Sequence, residues 1–173
     1  MVSEFEKFRD FYSNVDFNPE QVCSVVAMIF QLDIDEVGLL HLQERTLKFL
    51  FPLRLQTARG IPLSSSATAA ETALSMKASV FNDFAHRKHD SIFEVVAAGF
   101  DADQALRPIQ KLMSAPVMYE GSCLGVIQIC RKGLTPRISG PDFDAVQLVK
   151  LEHAAVYIGE LMHTQNIPRS DVG

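Results

Sequence analysis

Two short stretches concentrate the side chains that could do chemistry. In Ser64-Ser65-Ser66-Ala67-Thr68, four hydroxyls gather ahead of an alanine-rich run. Hydroxyls beside a helix N-terminus, where unpaired N–H groups and the helix dipole concentrate positive potential, suit an anionic or polar ligand group. The same residues also serve as an ordinary polar loop that caps a helix, and Glu71 places an opposing negative charge in the first turn. In "NDFAHRKHD", Asn82, Asp83, His86, His89 and Asp90 form a dense polar cluster. His86 and His89 are spaced to share one helical face, as paired metal ligands do. No cysteine or third ligand is fixed nearby in sequence, so the stretch reads as a solvated loop and no metal is assigned.

Cys23, Cys123 and Cys130 are too few, and odd in number, for a disulfide framework, which agrees with a reducing compartment. The odd separation of Cys123 and Cys130 within one strand predicts that they face opposite sides of the sheet and cannot pair. Each reads as a small core residue. A thiol-based redox reaction needs an accessible low-pKa thiolate and a resolving partner, and neither is visible. There is no trio of nucleophile, base and orienting group, no phosphate-cradling glycine run and no persuasive carboxylate pair. The expectation is a protein that is not an enzyme and that carries no cofactor.

The chain has 173 residues, 47% of them hydrophobic, which suits one domain around a single core. Its 16 Lys and Arg against 21 Asp and Glu include no basic run, so nucleic acid is not expected as a partner. The opening "MVSEFEKFRDFYSNV" is charged throughout and lacks the apolar core of a signal peptide. No stretch approaches the roughly 18 apolar residues of a membrane span. A cytoplasmic protein without a membrane partner is expected.

The elements that must position these groups follow from periodicity. Phe5, Phe8 and Phe11 recur at helical spacing in a short N-terminal extension. Asn18-Pro19-Glu20 then supplies a cap, a first-turn proline and a first-turn acid for a helix through Val22, Val25, Val26 and Ile29. Two strands, Val37 to Leu42 and Thr46 to Leu53, flank a polar Gln43-Glu44-Arg45 turn. Thr68 and Glu71 have capping-box spacing at the head of a helix running to Lys77, and Val80 to Asn82 reads as a short strand. The segment from Ala85 follows neither period, and Pro108 ends any helix begun after Asp101. Ala115 to Gly133 is a hairpin turning at Glu120-Gly121-Ser122, with Leu124, Val126, Gln128 and Cys130 on one face and Cys123, Gly125, Ile127 and Ile129 on the other. A last helix starts at Gly140-Pro141-Asp142 and runs to about Thr164.

This order of elements resembles a GAF domain. Ile61-Pro62-Leu63 ahead of a small-residue loop and Val80-Phe81-Asn82-Asp83 after the following helix are two points of likeness. Leu112-Met113-Ser114-Ala115-Pro116-Val117, followed by Glu120-Gly121 and Gly125-Val126-Ile127-Gln128, is the strongest. The resemblance spans about Pro19 to Met162 and implies an α/β chain of the α+β type, with a central antiparallel sheet of about six strands. The N- and C-terminal helices would cover one face, and loops and a helix would roof a small-molecule pocket on the other. Domain limits of 1–17 for the extension, 18–164 for the domain and 165–173 for a frayed tail are expected. On this likeness the pocket candidates are Ser64, Ser65, Ser66, Thr68, Asn82, Asp83, His86, Phe93, Ser114 and Gln128.

Members of the family sense small molecules, bind bilins or haem, or dimerise. Bilin carriers use a cysteine followed by histidine, whereas these cysteines precede Ser24, Leu124 and Arg131. The methionine-sulfoxide reductases of the family keep reactive cysteines around the pocket loops, but none lies between Val37 and Ser122. Cyclic-nucleotide binders carry a longer motif of which Gly99-Phe100-Asp101-Ala102-Asp103 resembles the latter half only. The resemblance therefore implies a non-catalytic small-molecule sensor, acting on a downstream signalling protein, ahead of a scaffold with a self-filled pocket and of a reductase. The last helix carries Leu148, Leu151, Ala155, Ile158 and Met162 as a stripe, with Phe143, Val146, Val149, Val156 and Tyr157 also needing cover. A homodimer through that stripe is expected, the alternative being that the N-terminal phenylalanines fold back over it.

Overall fold

The computed structural model describes residues 6, 9–10, 17–86 and 107–164. Helix α1, Pro19–Phe30, begins where the Asn18 carboxamide oxygen accepts the Glu20 and Gln21 amides at 3.0 and 3.2 Å. It stops at Gln31, whose left-handed φ of 55° turns its N–H back onto the last carbonyls. The chain then runs through a short 3-10 turn, Ile34–Glu36, into β1, Val37–Gln43, and β2, Thr46–Phe51, joined by a two-residue loop. β3 is only Ile61–Pro62, helix α2 spans Thr68–Ser75, and β4 spans Ser79–Phe81. β5, Ile109–Tyr119, and β6, Ser122–Lys132, form the long hairpin, and helix α3 covers Ala145–Thr164. Positive φ at both Glu120 and Gly121, 46° and 78°, gives the two-residue turn whose twist matches paired strands.

All strand pairs are antiparallel, in the order β3-β2-β1-β6-β5-β4. Because strand side chains alternate, the sheet separates two apolar layers. Val37, Leu39, Met113, Ala115, Val117, Ile127 and Ile129 pack on one face with α1 and α3. Leu40, Leu47, Phe49, Leu112, Val126 and Cys130 pack on the other with Leu55, Phe84 and the alanines of α2. This is the expected arrangement of fold class and faces, with end helices on one side and α2 on the other. Among the described residues, no helix is long and apolar enough to cross a membrane.

One part of the face assignment is corrected. Val117 pairs with Gly125 but Met118 pairs with Cys123, so Leu124 is an extra residue in β6. Such a bulge reverses the alternation beyond it. Leu124 consequently packs with the end-helix layer and Cys123 with the α2 layer, the reverse of the strict period-two reading. Cys123 and Cys130 share a face; at strand rise their seven-residue separation is still about 23 Å, too far for a disulfide.

The helix starts also differ from the sequence reading. Thr68 lies inside α2, whose cap position is Ala67 with no side-chain cap, so the Thr68 and Glu71 capping box does not form. At α3 the box falls instead on Asp144 and Gln147: the Asp144 carboxylate accepts the Gln147 amide at 2.8 Å, and the Gln147 carboxamide accepts the Asp144 amide at 3.1 Å. The segment before it is strapped to the sheet. The buried Lys111 ammonium donates to the Gly140 carbonyl at 2.6 Å and meets the Asp142 carboxylate at 2.9 Å. At the same sheet end Lys132 donates to the Asp35 carbonyl, while the buried Glu36 carboxylate accepts the amides of Asp33 and Lys132.

Candidate functional site

Helix α2 rests on β5 and β6 through small side chains, and hydroxyls line that contact. Thr68 and Thr72, one helical turn apart, share the sheet-facing side of α2, and both are buried. Thr72 donates to the Thr68 carbonyl at 2.8 Å, which uses its one hydroxyl hydrogen. Its 2.7 Å contact with Ser114 must therefore take the Ser114 hydrogen, and Ser114 in turn accepts from the Gln128 Nε2 at 3.2 Å. The result is a one-way chain from Gln128 through Ser114 and Thr72 to the Thr68 carbonyl. Ser114 and Gln128 are direct cross-strand partners, which is why two residues 14 apart in sequence meet here.

The Thr68 hydroxyl stands apart from this chain. Thr68 is 6% exposed, and its Oγ1 is buried with no hydrogen-bond partner among the described residues. A buried hydroxyl without a partner carries a desolvation cost of about 1–3 kcal/mol, so such atoms call for an explanation. Thr68, Ser114 and Gln128, three of the sequence-derived candidates, are thus brought together at one contact. Thr72 was not among those candidates; its signal is the four-residue spacing from Thr68 within an alanine helix.

The remaining candidates are placed elsewhere. Ser64 and Ser66 are exposed, and the half-buried Ser65 accepts the Ala67 amide at 3.4 Å, a loop-shaping contact. Asn82 spends both ends of its amide on the backbone of Phe143, donating at 3.0 Å and accepting at 2.9 Å, so it clamps the approach to α3 and is not left for a ligand. Asp83 and His86 pair with each other in solvent, 77% and 75% exposed. Phe93, like His89, Asp90, the Gly99–Asp103 stretch and the N-terminal phenylalanines, lies outside the described residues.

The proposed interface stripe is corrected by its burial. Leu151, Ala155, Ile158 and Met162 are at most 4% exposed, packed in the layer between α3 and the sheet, with Leu148 half-buried against it. The same spacing that makes a helix pair with a helix makes it lie on a sheet, so periodicity alone cannot separate the two. The apolar residues that α3 does present outward are Val146, Val149 and Val156, at 73, 48 and 47% exposure.

Burial pushes the Cys23 and Cys123 thiols up, away from the thiolate form. Burial holds His41 below its ordinary 6.5. The sign follows: above pH 6.5 His41 is neutral whether folded or unfolded, and as pH falls below 6.5 the unfolded chain takes the proton first. Stability is therefore expected to decline from about pH 6.5 downward through this group, until the lower folded-state value is passed. His41→Gln should flatten that decline in urea unfolding followed across pH. An unchanged slope would remove His41 as its source.

No family model matches the chain, and no curated protein matches it. Solved structures do. The GAF domain of a phosphoenolpyruvate-protein phosphotransferase from Coxiella burnetii superposes with a TM-score of 0.67 at 8% identity, over 93% of this chain and 91% of that one. The corresponding Acinetobacter GAF domain gives 0.65 at 11% identity over 93% and 91%. A free methionine-R-sulfoxide reductase from Neisseria meningitidis, solved with its substrate, gives 0.65 at 16% identity over 94% and 87%. At such identities the likeness is one of fold, and with the six-stranded antiparallel sheet, the end helices on one face and α2 on the other, it shows that the chain has a GAF-like fold.

Proposed function

We propose that this domain is a non-catalytic sensory module that binds a small molecule against the α2 face of the sheet. The observation that carries the reading is the Thr68 hydroxyl, buried and unpartnered on the sheet-facing side of α2. A ligand atom able to accept or donate one hydrogen bond relieves its desolvation cost. The comparisons support GAF-type sensing through fold alone and include reductases as well as regulatory domains. Against reductase chemistry stands the burial that raises the Cys23 and Cys123 thiols. Occupancy is passed to a downstream signalling protein through the end helices of a homodimer, for which Val146, Val149 and Val156 offer the outward apolar surface on α3. We place the protein in the cytoplasm, with neither nucleic acid nor membrane as partner.

A second reading has its own support. The chain from Gln128 to the Thr68 carbonyl satisfies itself without any ligand, as a scaffold with a self-filled face requires. Native mass spectrometry of the wild type and of Thr68→Val, after incubation with a small-molecule extract, separates the two. A bound mass on the wild type that is at least about tenfold weaker on Thr68→Val, the loss of one buried hydrogen bond, is expected for the sensor. No bound mass on a folded wild type would favour the scaffold.

A further inference from the structure

We propose that β5 is the transmission element of this domain, linking the position of α2 to the last turns of α3. The meaning of this link rests on the sensing reading; the link itself is a property of the unliganded chain.

Three contacts carry the inference. Near its middle, β5 is tied to α2 by the 2.7 Å hydroxyl pair of Ser114 and Thr72, both at most 2% exposed. At its far end it meets α3 with no side chain intervening: a Cβ on Gly159 would stand 2.2 Å from the Met118 carbonyl oxygen, so helix and strand backbones are in direct contact there. One residue on, the Tyr119 ring stacks on His163 in the final turn of α3, with centroids 3.9 Å apart and planes 13° from parallel. The α2 contact and the α3 contacts thus lie on opposite faces of the sheet but on one continuous strand, four to five residues apart.

Between them sits the Leu124 bulge, the irregularity where the ladder between Val117 and Met118 changes register. A bulge interrupts pairing and bends the strand locally. The hairpin tip from Met118 to Cys123 can therefore pivot relative to the body of the hairpin, and it is the tip that meets the last turns of α3 through the Met118 carbonyl and the Tyr119 ring. A movement of α2 that pulls on Ser114 displaces β5 along a path that ends on the Gly159 and His163 turns. The two hydroxyls form the input and the stacked rings the output.

The test needs no ligand, so its failure would leave the binding reading standing, and a failed binding test would leave this link standing. Thr72→Val keeps the side-chain shape and removes the hydroxyl; Ser114→Ala removes the partner; Thr72→Ser restores the hydroxyl. Amide hydrogen exchange across residues 158–162 and the His163 ring proton shifts are read in each folded variant. Thr72→Val and Ser114→Ala are both expected to speed exchange in those turns by at least about threefold and to move the His163 resonances toward an unstacked position. Thr72→Ser should return both readouts to the wild-type values, and exchange in the first turn of α3 should stay unchanged. His163 resonances and exchange at 158–162 that match the wild type in both hydroxyl-deletion variants would overturn the proposal, confining the hydroxyl pair to local packing. Equal acceleration along all of α3 would overturn it too, since that reports general destabilisation.

Discussion

Gly125→Ala is expected to lower the unfolding free energy by at least about 3 kcal/mol, enough to remove a large part of a domain's stability. A Cβ at this position would stand 2.0 Å from the Leu40 carbonyl oxygen and 3.3 Å from the His41 Cα. The obstacle is backbone, not a side chain that can rotate away, so β6 would have to part from β1 at a paired position, His41 opposite Gly125. The ladder there joins the two halves of the sheet, and opening it exposes Leu40 and Val126, both fully buried. Urea unfolding checks this directly. A midpoint for Gly125→Ala close to that of the wild type would mean that β1 and β6 do not approach as described.

Gly159→Leu should cost somewhat less, about 2–4 kcal/mol, because a helix can lift from a sheet more easily than two strands can separate. Its Cβ would meet the Met118 carbonyl oxygen at 2.2 Å and the Val117 Cγ1 at 3.5 Å. The displaced helix would uncover Leu151, Ala155, Ile158 and Met162 from the sheet layer. Light scattering alongside the unfolding curve is informative here, since freshly exposed apolar surface promotes association. Retained stability in Gly159→Leu would contradict the close seat of α3 on β5.

These two glycines also show what could be read from sequence and what could not. Gly125 belongs to the stretch Gly125-Val126-Ile127-Gln128 on which the family likeness rests, and the Leu40 carbonyl supplies the physical reason for glycine there. The long hairpin and α1 are legible because alternation, caps and a Glu-Gly turn all agree locally, whereas the layer order is implied by the family resemblance. The bulge at Leu124 is not, since one extra residue leaves no mark on composition and merely shifts the phase of an alternating run. Lys111 and Lys132 are buried although charged, because loop carbonyls and the Asp142 and Asp35 carboxylates satisfy their ammonium groups.

The candidate site divides in the same way. Ser114 and Gln128 sit opposite one another in a recognisable hairpin, so their meeting follows from register. Asn82 looks as available as they do until Phe143, 61 residues away, takes both ends of its amide. Thr72 hides in an alanine-rich helix whose outward and inward sides cannot be told apart without the sheet beneath it. The stripe from Leu151 to Met162 has the spacing of an interface and the burial of a core, and only packing decides between them.

The central claim is that the unpartnered Thr68 hydroxyl marks where a small molecule is held. Electron density from crystals of protein purified without added ligand tests it most directly. The expected result is a non-protein feature within hydrogen-bond distance, about 3 Å, of the Thr68 Oγ1. A Thr68 hydroxyl bonded to a protein atom, with side chains filling the space around it, would contradict the account.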